Sequence, residues 1–194
     1  MSVDRSEGWD EIADRFLTAR SDVGATLVRS WALSNVPSAG TIVDVGCGSG
    51  VPIAEVLIEA GLSVYGIDAS RKLVNAFSHR FPNAPCICEP AQESQFFEAS
   101  FDAAVAVGLL FLLPPSDQRE VIYRIAAALK PTGQLLFSCP LEICEWDDVL
   151  TGRRSQSLGH EAYRALLRDA GLQLVGCEID EGRNNYFHAV KQMI

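Results

Sequence analysis

Residues 41–50, Thr41-Ile42-Val43-Asp44-Val45-Gly46-Cys47-Gly48-Ser49-Gly50, constrain the fold of this chain more than any other stretch. A β-branched run ends there in a carboxylate and then in glycine at every second position. The composition of residues 41–45 predicts a strand buried on both faces. Ile53, Val56, Leu57 and Ala60 then recur at helical spacing, which sets the glycines at a strand-to-helix turn. Glycine at such a turn lets the backbone bend sharply and lets a ligand reach main-chain N–H groups that the helix start aims outward. Open α/β sheets take their ligands at these turns. The spacing is selective. Val51 stands where the dinucleotide fingerprint requires its third glycine, and no Lys-Ser or Lys-Thr pair follows to make a Walker A phosphate loop.

Ser63-Val64-Tyr65-Gly66-Ile67-Asp68 reads as a second strand ending in a carboxylate, a group that can accept both hydroxyls of a ribose. With these two motifs the chain resembles the class I S-adenosylmethionine-dependent methyltransferases, whose first motif is carried by Asp44 to Gly50. The resemblance implies S-adenosyl-L-methionine as the cofactor. It places that cofactor against Asp44, Gly46, Cys47, Gly48 and Gly50 of the loop, Asp68 and Ala69 after the second strand, Ala91 and Gln92 at the adenine, and Gly108 beside the sulfonium. In the family an acidic side chain reads the adenine edge. Here Pro90 stands at that place, which leaves the backbone N–H of Ala91 or Gln92, and the side chain of Gln92, Glu89 or Glu93, as the groups that could read it.

The other elements follow in order. Trp9, Ile12, Ala13, Phe16 and Leu17 share one helical face behind Ser6 as N-cap, and Val23, Leu27, Val28 and Trp31 share another. The resemblance makes residues 1–40 a helical cap on a core of residues 41–194, and the 194 residues suit one domain. Further strands are predicted at residues 84–88, 101–107 and 134–139, with a turn at 130–133, a helix starting at Ser116 or Asp117, and a helix capped by Ser157. Residues 140–158 form a connection long enough to suggest a function. Residues 172–179 and 186–192 are joined by a segment too short for a helical crossover, so they pair antiparallel. The expected fold class is α/β, a Rossmann-like three-layer sandwich whose mostly parallel seven-stranded sheet ends in a C-terminal antiparallel hairpin.

A net charge of -9 opposes a nucleic-acid or anionic-membrane partner, since phosphate affinity needs clustered Lys and Arg. The start of the chain leads into no apolar signal segment and no apolar run is long enough for a bilayer, so the expected location is cytoplasmic. The six cysteines lack paired Cys-x-x-Cys spacing, and no metal is expected. The expected function is transfer of a methyl group from S-adenosyl-L-methionine to a small-molecule acceptor. The rivals are an NAD(P)-dependent oxidoreductase, which Val51 and the terminal hairpin disfavour, and a non-catalytic S-adenosylmethionine-binding protein. If the acceptor must lose a proton, Glu142, Tyr186 and His188 are the candidates to remove it. The acceptor and the oligomeric state leave no mark on the sequence.

Overall fold

The computed structural model describes residues 5–19 and 21–193. Residues 1–4, read above as the start of no apolar signal segment, lie outside them. The strands are β1 (Thr41–Val45), β2 (Ser63–Asp68), β3 (Cys86–Cys88), β4 (Phe101–Ala106), β5 (Leu129–Ser138), β6 (Ile143–Asp147), β7 (Arg154–Leu158), β8 (Leu172–Ile179) and β9 (Asn185–Lys191). The helices are α1 (Trp9–Ala19), α2 (Ala25–Asn35), α3 (Ile53–Glu59), α4 (Arg71–Arg80), α5 (Pro115–Ala128) and α6 (His160–Asp169). Seven strands form one sheet in the order β3-β2-β1-β4-β5-β9-β8. β1 to β5 are parallel, and β9 runs antiparallel to both β5 and β8.

Strand alternation divides the core in two. Ile42, Val64, Ala103, Val105 and Leu136 face one side, where they meet Val28 and Trp31 of α2, Ile53 and Leu57 of α3, and Phe77 of α4. Val43, Val45, Ala104, Ala106, Leu135 and Phe137 face the other, against Val121, Ile122 and Ile125 of α5 and Leu166 and Leu167 of α6. These are the three layers and the terminal hairpin that the sequence predicts. Among the described residues no helix is long and apolar enough to cross a membrane.

Local readings are adjusted by the structure. The long 140–158 connection carries two strands, β6 and β7, that pair as an antiparallel ribbon, Ile143 opposite Leu158 and Asp147 opposite Arg154. Ser157 therefore lies in a strand and caps no helix; its hydroxyl donates to Pro140 O at 2.7 Å and accepts the Gly159 N–H at 3.1 Å. The turn at 130–133 is a bulge in β5, where Phe101 pairs with Leu129 and the next partners are Ala103 and Gln134. Val23 precedes α2, whose buried face starts at Ala25, and is exposed; Leu17 of α1 is exposed as well.

Candidate active site

β1 leads to β2 on one side and β4 lies on its other side, so a crevice opens where the carboxyl ends of β1 and β4 diverge. The glycine loop turns across it. The N–H groups of Gly46 and Cys47 both donate to Ile67 O, at 2.8 and 3.0 Å, which pulls the loop onto β2. The Gly48 N–H then donates to Asp68 Oδ2 at 2.9 Å, and the Ser70 N–H donates to Asp68 Oδ1 at 2.8 Å. Asp68 thus ties two strand-to-helix loops together. A carboxylate oxygen can accept more than one hydrogen bond, so this group is chemically suited to meet hydroxyls. Gly48 needs to be glycine twice over: its φ is +56°, and a Cβ there would stand 3.2 Å from the Phe16 ring.

The cleft and the open solvent at its mouth together span about 790 Å³. Gly46, Gly48, Asp68, Ala69, Ala91, Gln92 and Gly108 all line it. Asp44, Cys47 and Gly50 do not. Asp44 is buried in β1, and Cys47 turns its thiol to Cys86, with 3.8 Å between sulfurs. Gly50 lies behind the loop, where a Cβ would stand 2.6 Å from the Phe81 ring and 2.8 Å from Phe77. Of the three side chains considered for the adenine, Gln92 lines the cleft with Pro90 and Ala91. Glu93 is ion-paired with Arg5, and Glu89 lines no part of the cleft.

The sequence reading made the helix of Trp9 and Phe16 a cap but gave Arg5, Ser6 and Glu7 no place at the cleft. Arg5, Ser6, Glu7, Trp9 and Phe16 line the cleft, with Trp9 and Phe16 edge-to-face at 5.4 Å. Ser6 caps α1, its hydroxyl accepting the Asp10 N–H at 3.0 Å. The amphipathic pattern of residues 9–17 was the available signal, although it gives no direction of docking.

Phe16, Val107 and Gly108 also line a second, wider cavity that spans about 1360 Å³ with the open solvent at its mouth. Gly108 is held by its N–H, which donates to Ser138 Oγ at 2.8 Å. Cys139 lines this cavity with its Sγ 2.8 Å from the Tyr163 hydroxyl. Burial pushes the Cys139 thiol up to about 11, with hydrogen bonds to Tyr163 and Ser157 offsetting part of the rise, so it stays neutral and a poor nucleophile near neutral pH. Burial also raises the Tyr163 hydroxyl, which donates to Gln118 Oε1 at 2.7 Å.

The three candidate bases do not converge. Glu142 is exposed and lines neither cavity. His188 is buried on the α2 side, its Nε2 2.9 Å from Gln134 Oε1 and its ring edge-to-face with Trp31 at 5.6 Å. Tyr186 lines the second cavity, but its hydroxyl donates to Asp180 Oδ2 at 3.1 Å and packs against Gly24.

Residues 42–133 match the profile of a family described as a methyltransferase domain. This central stretch is therefore similar to a methyltransferase domain. Among its sequence relatives is the ubiquinone biosynthesis O-methyltransferase of Ralstonia nicotianae, 33% identical over 114 residues that cover 56% of this chain and 47% of that one. Another is the cypemycin N-terminal methyltransferase of a Streptomyces species, 32% identical over 123 residues, 60% of this chain and 48% of that one. The chain spans about half the length of these curated relatives. The CcbJ methyltransferase of Streptomyces caelestis shares the fold from end to end, with a TM-score of 0.80, 15% identity, and 99% of this chain and 100% of that chain covered. This methyltransferase fold accounts for the β9 position between β5 and β8.

Proposed function

We propose that the chain transfers a methyl group from S-adenosyl-L-methionine to a small-molecule acceptor. One observation carries the reading: a cleft with a carboxylate at one end shares the wall Phe16, Val107 and Gly108 with a second, larger cavity. A donor in the first and an acceptor in the second meet at Gly108.

The residues fit the donor. Asp68 lines the cleft with a carboxylate, a group that accepts from ribose hydroxyls, Ala91 and Gln92 border a slot with Leu73 and Leu113, and the glycine loop leaves room beside the backbone. When bound, S-adenosyl-L-methionine supplies a methyl group on a cationic sulfur. The chain's part is to align and to exclude water: α1 and its preceding residues cover the cleft, and Gly108 sets the closest approach of the two ligands. Alignment of this kind lowers a barrier by roughly 7 to 11 kcal/mol at best. No imidazole or carboxylate lines the second cavity among the described residues, which supports a reaction that takes no proton onto the protein. Residues 1–40 act in this reading as the cap and 41–194 as the core of one domain. The net charge of -9 favours a small acceptor over nucleic acid.

Calorimetric titration with S-adenosylhomocysteine tests the donor site, with NADH as the control. Binding of the first and not the second is expected. Turnover of S-adenosyl-L-methionine to S-adenosylhomocysteine in the presence of an acceptor then separates an enzyme from a binding protein. NADH binding with no response to S-adenosylhomocysteine would sink the proposal.

A further inference from the structure

The lining of the second cavity narrows what it can seat, given the donor reading of the first. The chain has 25 Asp and Glu residues and a net charge of -9, yet no carboxylate lines this cavity among the described residues. Its one cationic lining side chain is Arg183, exposed on the β8–β9 turn. Two acids, Asp180 and Glu181, share that turn, and both are taken up elsewhere: the Asp180 carboxylate accepts from Asn184 N at 2.8 Å, Asn184 Nδ2 at 2.9 Å and the Tyr186 hydroxyl at 3.1 Å. Glu181 accepts the Gly24 N–H at 3.1 Å. Arg183 forms no ion pair with a described residue. Its position is fixed through the backbone, the N–H donating to Asp180 O at 3.0 Å.

The rest of the lining is aromatic. Phe111, from the segment after β4, and Trp146, from β6, lie with ring centroids 5.4 Å apart and an interplanar angle of 47°. Phe16 and Tyr186 line the same cavity. Flat rings gain from offset or edge contact with such a pair, beyond the area they bury. A guanidinium at the rim offers a planar fork that suits a carboxylate better than a point charge would.

We propose that the acceptor is a planar aromatic acid, its ring against Phe111 and Trp146, its anionic group at Arg183, and its methyl-accepting heteroatom at Gly108. In the transfer, a lone pair on that heteroatom forms the new bond to the methyl carbon as the carbon–sulfur bond breaks, and the bonding pair returns to sulfur to give the neutral thioether. Any proton on the heteroatom leaves to water, since the cavity lining offers no base. A cationic amine on the same ring is disfavoured.

The test uses the full chain saturated with S-adenosylhomocysteine, titrated with three probes on one ring system: a hydroxynaphthoate, the matching hydroxynaphthamide and the matching aminomethylnaphthol. The acid should bind about fivefold more tightly than the amide, the scale of one solvent-exposed ion pair, and the amine should bind most weakly. Arg183→Met should remove the difference between acid and amide and leave the affinity for the amide unchanged. Trp146→Ala should weaken all three about tenfold, with Phe111→Leu as the second variant on the same ring pair. The proposal is overturned if the amine binds as well as the acid, if Arg183→Met keeps the preference for the acid, or if no probe binds. S-adenosylhomocysteine binding is read in the same experiment, so an acceptor class that fails while the donor still binds leaves the methyltransferase reading standing, whereas loss of donor binding removes both.

Discussion

Asp10 and Ser70 are joined by a 2.7 Å hydrogen bond across sixty residues of chain, the hydroxyl donating and the carboxylate accepting. The same Asp10 oxygen accepts the Lys72 N–H at 2.8 Å, so a residue of α1 helps to cap α4 from outside. Its charge also faces the positive end of that helix. The roof over the cleft is therefore fastened two residues from Asp68. Asp10→Ala should cost about 1 kcal/mol of stability, the usual scale of a lost helix cap, and should speed hydrogen exchange through residues 9–19. Unchanged exchange there would mean that Trp9 and Phe16 hold the roof without it.

Asp68→Ala should weaken S-adenosylhomocysteine by about ten- to a hundredfold, because hydrogen bonds to a charged group contribute roughly 1.5–3 kcal/mol. Asp68 also holds Gly48 and Ser70 in place, so unfolding by urea must be measured beside it. An affinity that stays at the wild-type value in calorimetry would remove Asp68 from the donor site.

The core strands were legible because they are buried on both faces: residues 41–45 and 101–107 have no reading but a central strand. The site was legible where backbone needs left a mark, as at Gly46, Gly48 and Gly108. The β6–β7 ribbon was not, since it packs one side only. Ile143 is 83% exposed, and its partner strand Arg154-Ser155-Gln156-Ser157-Leu158 buries serines instead of branched side chains. Alternation of Cys144 and Trp146 with Glu145 and Asp147 was the available signal, and it is short. Arg183 was missed because its place depends on which elements pack together, a property of the tertiary fold.

His188 illustrates the difference between a titratable group and a base. Burial holds its pKa below the ordinary histidine value, with Glu178 pulling weakly the other way. The folded protein thus binds this proton less readily than the unfolded chain does. Its contribution to stability is complete above the unfolded pKa of about 6.5 and is lost as pH falls below that value toward the folded pKa. Thermal unfolding should show wild type losing stability between pH 7 and 5, and His188→Gln should lack part of that slope while binding S-adenosylhomocysteine normally at pH 7. Loss of turnover at full ligand binding would instead make it the base.

Two glycines should fail differently. Gly50→Ala puts a methyl into Phe77 and Phe81 at φ +82° and should cost about 2–4 kcal/mol from overpacking and strain. Gly108 has φ +74° with nothing within 4 Å of its Cβ position, so Gly108→Ala should cost about 1 kcal/mol in stability. Its main loss should fall on turnover, where the methyl stands in the wall between the cavities. Urea midpoints in the reverse order would contradict this.

The place of β9 has a consequence for synthesis on the ribosome. It is made after β8 yet lies inside it, so β8 has no strand to pair with until residues 185–191 have emerged. Until then the β5 edge at residues 134–138 stays bare, with Leu135, Leu136 and Phe137 bracketing it. An open apolar edge is the part of a sheet most prone to pair with a neighbouring chain. A nascent chain halted before residue 185 is thus an unfinished sheet that invites other copies to complete it, and β9 is the piece that closes the gap.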